Sequence, residues 1–370
     1  MARGAATLVL ALVAAICVVL YLIPVLEPVP AARVLVAALV IVGLVGAVGL
    51  WLRQTWGPWL ALVALTFTAT LACFAWTVAE ASRTTIGLSA LTLATAATIF
   101  VIGSKPSDSI NVYQRALFGT VLVFAGWVAV WGWLFPVQFG RALPVSAPPL
   151  HARFLGAMYF SGAVFMLLAM LARRWSDIRV VTAILAIWTG ALGGVSILNL
   201  SAFDWTRGPT WFWFVAYIGF PLIACWIVWC QRNERDQAAG APLRTPVRGI
   251  LLVVGATGVA LGVSLLVAPR FMVTLWPWAV SPLLAHIYSA PFLAYGVGCL
   301  YAAAQRTWPE ARISVIGTFA FAAGVLTASW LHAGLFNMTL PSVWLWFGGF
   351  GLAGLALLAA VALQWARGGA

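Results

Sequence analysis

The chain has 370 residues and a net charge of +12, with 64% hydrophobic and only 8% charged residues. A water-soluble domain carries roughly a quarter of charged residues, so this composition excludes a soluble enzyme or a soluble binding module. Long stretches carry no charge, and about 20 apolar residues suffice for a helix to cross a hydrocarbon core of roughly 30 Å. Lipid cannot hydrogen-bond a bare backbone, so such stretches are helices and not open strands. The expected fold class is an all-α integral membrane protein.

In chain order the spans are expected at 5–24, 34–52, 59–79, 86–103, 116–135, 154–172, 180–200, 211–230, 249–268, 286–304, 313–332 and 344–364, twelve in all. The first, after Arg3, has the look of a signal peptide. Spacing argues that it is retained: the interval from Arg3 to Pro24 is the same as from Arg115 to Pro136 and from Arg248 to Pro269. The second span ends in Arg53-Gln54-Thr55-Trp56, and Ala172 to Trp175 and Gln305 to Trp308 end its counterparts. Between the later two stretches the agreement is gapless. Arg115, Pro136, Pro149, Trp175, Arg179, Phe203, Trp211, Trp213 and Gln231 recur at one constant offset, as Arg248, Pro269, Pro282, Trp308, Arg312, Phe336, Trp344, Trp346 and Gln364. Asp177 is answered by Glu310, and Asp204 by Asn337. The expected organisation is three tandem four-helix units, 1–110 (diverged), 111–240 and 241–370, all pointing the same way because four spans is an even number.

Basic residues set the expected orientation. Fourteen fall on the side of the N-terminus (Arg3, Arg53, Lys105, Arg115, Arg173, Arg174, Arg179, Arg232, Arg235, Arg244, Arg248, Arg306, Arg312 and Arg367) against six on the other. Positive residues stay in the cytoplasm, so both termini are expected there, in a bacterial inner membrane. The charge is thus a topology signal, and nucleic acid is not an expected partner. Five cysteines, Cys17, Cys73, Cys225, Cys230 and Cys299, fall inside spans without a CxxC pair, and small buried apolar residues are their expected role. Most of the 21 Trp residues sit at span ends, as in an interfacial aromatic belt.

Candidate functional residues gather at the outer face. All three histidines, His151, His286 and His332, lie there, as do Glu80 and Asp204. In a self-contained four-helix unit the start of the second helix would meet the end of the third. The expected pairs are then Arg33 with Glu80, Arg153 with Asn199, and His286 with His332. Ionisable groups at a span are functional candidates; the competing reading is an interfacial ion pair with a snorkelling Arg. No nucleophile elbow, zinc-binding HExxH, phosphate loop or dinucleotide fingerprint occurs. No catalytic residue, metal or cofactor is expected, and an enzyme is the less favoured reading.

A single unit, with Ala268-Pro269-Arg270-Phe271 followed by the helix from His286 to Ala304, resembles the DoxX-like small four-helix membrane proteins. The resemblance implies a left-handed four-helix bundle and supplies no functional residues. The leading functional expectation is a multi-pass membrane protein that binds or moves an apolar or amphiphilic small molecule at the outer leaflet. The alternatives are a non-catalytic scaffold or accessory subunit of a membrane complex, and a His-dependent membrane enzyme on a lipid-like substrate. The bilayer, a lipid-like ligand and a membrane-protein partner are the expected associates.

Overall fold

The computed structural model describes residues 109–145, 147–234 and 240–365, with positions 41, 42, 44–46 and 48. Apart from those few positions and residues 109 and 110, the first expected unit, with Arg33 and Glu80, lies outside the described residues. Everything described in regular form is helical, and among the described residues eight helices are long and apolar enough to cross a membrane.

The first set comprises α1 (Val112–Leu134), the short α2 (Pro136–Ala142), α3 (Pro149–Leu171), α4 (Trp175–Leu198) and α5 (Gly208–Cys230). The second comprises α6 (Thr245–Val267), the short α7 (Pro269–Leu275), α8 (Pro282–Ala303), α9 (Trp308–Trp330) and α10 (Pro341–Trp365). Each element of the second set begins at the same constant offset from its counterpart in the first. Local chemistry explains the breaks. Proline disfavours helical geometry in the residue before it and suits the first turn of a helix. Phe135 and Ala268 accordingly leave the helix at φ −129 and −128, and Pro136 and Pro269 each start a new one. Asn111 and Gln114 form a reciprocal capping box at the start of α1, and Thr307 and Glu310 do so at α9.

Within each set the first and second long helices pack along one another, α1 on α3 and α6 on α8. Small residues allow the close approach: Gly132 faces Gly156, and Gly258 faces Gly296. The third and fourth also pair, α4 with α5 and α9 with α10. The second and third helices of one set, however, touch each other little. Instead α3 packs on α9, and α8 on α4, so the two sets interlock. These four central helices are the most buried of the eight long ones, and α5, α6 and α10 the least. The expectation of self-contained bundles is corrected here, because the small faces of α3 and α9 fit each other. Ser161 on α3 donates to the Gly317 carbonyl at 2.6 Å, and Gly317 leaves room for the Phe165 ring.

Two side-chain expectations are also corrected. Cys225 and Cys230 are exposed, on the outward side of α5, and only Cys299 among the described cysteines is buried. The aromatic belt is divided. Trp211 and Trp344 face outward, whereas Trp131, Trp175, Trp276, Trp278 and Trp346 are buried, because their positions point into the bundle.

Candidate functional site

The two ends of the bundle differ. One carries Arg115, Arg173, Arg174, Arg179, Arg244, Arg248, Arg306 and Arg312; the other carries all three histidines. At the histidine end the expected polar positions do meet, but with exchanged partners. Arg153, on the first turns of α3, donates through Nη1 to His332 Nε2 at 2.7 Å, just beyond α9. His286, on α8, lies 3.4 Å from the side-chain amide of Asn199, just beyond α4. The expected pairs Arg153–Asn199 and His286–His332 are absent because α3 faces α9 and α8 faces α4. Each second-helix residue is further tied to the helix before it: Arg153 Nε donates to the Trp133 carbonyl at 3.2 Å, and His286 Nε2 to the Leu266 carbonyl at 3.1 Å.

These bonds fix the imidazoles. A carbonyl only accepts, so His286 carries its proton on Nε2 and offers Nδ1 to the Asn199 amide. His151 donates from Nε2 to the Ala279 carbonyl at 3.1 Å and accepts at Nδ1 from the Tyr288 hydroxyl at 2.6 Å. His332 accepts from a guanidinium, which requires a neutral ring; burial, and then the charge of Arg153, lower its pKa. Both ring nitrogens of His151 and of His286 are thus used by the protein itself. The geometry is that of helix-to-helix fastening. Asp204 is exposed and accepts from the Thr206 amide and hydroxyl at 3.0 and 2.6 Å, bonds that hold its carboxyl below the usual pKa. Asn337 makes the same turn with Thr339, at 3.1 and 2.7 Å, with no charge at all. The Asp204 charge is therefore dispensable to the turn.

The structure shows a second locus that lies among apolar residues. An open cleft sits among α1, α3, α4 and α5, with about 1010 Å³ of space in it and at its open mouth. None of the described residues that line it is charged. Leu143, Leu155 and Gly162 leave the space; Phe124 stacks obliquely on Phe212 at 4.8 Å where α1 approaches α5. In the cleft, the hydroxyls of Tyr159 and Tyr217 are hydrogen-bonded to each other. At the equivalent positions the second set has Trp276 for Leu143, Tyr288 for Leu155, Phe292 for Tyr159 and Phe350 for Tyr217. There the rings pack on one another, Trp276 on Tyr288 at 5.9 Å, Trp276 on Trp346 at 5.1 Å and Trp346 on Phe350 at 4.6 Å. Small-for-large exchange between the sets opens one interior and fills the other. The sequence carries this signal in the differences between the two equivalent stretches, whereas their likenesses lie at the polar ends.

Eight long apolar helices around interlocked central pairs, with an apolar cleft in one flank, define the class: a multi-pass α-helical membrane protein. Comparison with protein-family models, with curated proteins and with solved structures gave no significant match.

Proposed function

We propose that the protein is a bacterial inner-membrane protein of three tandem four-helix units and twelve spans, both termini cytoplasmic, that binds or moves an apolar or amphiphilic small molecule in the outer leaflet. Support for the units is the constant offset between element starts, carried upstream by the Arg3–Pro24 spacing. The excess of basic residues on the N-terminal side supports the orientation. The observation that carries the binding reading is the open, uncharged cleft among α1, α3, α4 and α5, at positions whose counterparts are closed by Trp276 and Tyr288. Ligand sites are typically concave, largely apolar and preformed. The binding reading thus moves from the histidines to the cleft.

Native mass spectrometry of the full chain, extracted gently from its membrane, is expected to show a retained apolar or amphiphilic adduct. Leu143→Trp with Leu155→Phe, which places bulk where the second set has it, is expected to remove the adduct and leave the protein folded. Repeated absence of any adduct on the unaltered protein would sink the proposal.

A further inference from the structure

Inside the cleft the polar atoms are few, and their arrangement is specific. Tyr159 and Tyr217 each bring one hydroxyl, and the two bond to each other. Two hydroxyls hold two protons, and their mutual bond uses one. Neither has another hydrogen-bond partner among the described residues, so one O–H remains to be given away. Both side chains are only partly buried although they sit mid-bundle, which leaves them facing the cleft they line. The indole N–H of Trp127, which also lines the cleft, is buried and has no hydrogen-bond partner among the described residues. By contrast the Thr189 hydroxyl, also lining the cleft, is spent on the Leu185 carbonyl at 2.6 Å.

The fold does not need these donors. At the equivalent places the second set has Phe292, Phe350 and Ala260, and its interior is closed. Donors that the fold can do without, present only where there is an open space, point to something in that space. A hydroxyl left without an acceptor among apolar walls is costly, and an uncharged cleft does not suit an ion.

We infer that the cleft takes a neutral, largely apolar molecule carrying one carbonyl-type oxygen, and that the Tyr159–Tyr217 pair donates a hydrogen bond to that oxygen. The inference rests on the cleft reading above and adds the chemistry of the occupant. Charged amphiphiles and plain hydrocarbons are both disfavoured, the first by the uncharged walls and the second by the idle donor.

The test uses a matched pair of probes, 2-pentadecanone labelled with carbon-13 at its carbonyl, and pentadecane. Each is offered to the full chain in nanodiscs, and the unaltered protein is compared with the double variant Tyr159→Phe/Tyr217→Phe, which copies the second set and so is expected to fold. The unaltered protein should retain the ketone over the alkane by about five- to tenfold, the yield of one net hydrogen bond. The carbonyl stretch of bound ketone should move to lower frequency. In the double variant both the preference and the shift should vanish, while alkane retention stays the same. If ketone and alkane are retained equally by the unaltered protein, or if the shift survives in the double variant, the donor inference is overturned and the cleft remains a binding site. If neither probe is retained and no native adduct is found, the binding reading itself fails, and the inference with it.

Discussion

At the scale of single residues, the polar groups at the histidine end fasten one helix to another. His332 sits beyond α9 as a neutral acceptor for Arg153, its pKa lowered from the usual 6.5 by burial first and by that guanidinium second. In the unfolded chain the same ring titrates normally. Between the lowered value and 6.5 the unfolded state holds a proton that the folded state lacks, so stability rises with pH through that window. The contribution is intact above 6.5 and is lost as pH falls below it. Thermal unfolding followed from about pH 8 down to about pH 5, the range in which histidine titrates, should show a modest drop at the acid end. Because the site is substantially exposed, solvent screening keeps the drop small. His332→Asn, the residue found at the equivalent position 199, should flatten that part of the profile; an unchanged slope would assign the effect elsewhere. The polar character of these positions was legible in the sequence. Their partners were not, because Arg153, Asn199, His286 and His332 can pair in either of two ways and side-chain type does not choose between them.

At the scale of elements, the presence of the eight long helices was readable, but each starts three to five residues before its expected span, because a Pro such as Pro149, Pro282 or Pro341 fits the first turn of a helix and does not merely precede it. Which helix packs on which was not readable, since lipid offers no hydrophobic contrast and the choice rests on small-residue fit. The central contacts show that fit in complementary form. Gly317 on α9 receives Phe165 of α3, and Gly298 on α8 receives Ile184 of α4. Positions 165 and 298 are equivalent in the two sets, as are 184 and 317, so the large partner is on the second helix in one contact and on the third in the other. A methyl group at position 317 would overlap the Phe165 ring. Gly317→Ala is expected to destabilise by about 1–3 kcal/mol, the usual cost of overpacking. Phe165→Leu in the same chain should recover much of it, a coupling of about 0.5–3 kcal/mol in a double-mutant cycle of unfolding measurements. Additive effects would mean that the two residues do not meet.

At the scale of the whole molecule, the exchange of partners makes each set of helices the structural complement of the other. The arginine end repeats the pattern seen at the histidine end. Arg179 of α4 pairs with Glu310 of α9, and Arg312 of α9 lies 3.7 Å from Asp177 of α4. Both pairs cross between the sets, and Arg179 also reaches Gln305. The sequence period marks where 111–240 and 241–370 begin, but a period says nothing about whether a unit closes on itself. If closure needs both sets, the connection between them can be cut without loss of assembly. It is the most polar stretch of the chain, Gln231 to Arg248, the kind of segment where a break is best tolerated. Residues 1–236 and 237–370, co-expressed as separate chains with one affinity tag, are expected to copurify from membranes in equal amount, whereas 237–370 expressed alone should be degraded or aggregate, with the buried faces of α8 and α9 left open. Glu310→Arg should weaken recovery of the pair, and adding Arg179→Glu should restore part of it. Full stability of 237–370 by itself, with unchanged helix content, would refute the interlocked arrangement and favour two bundles that merely touch.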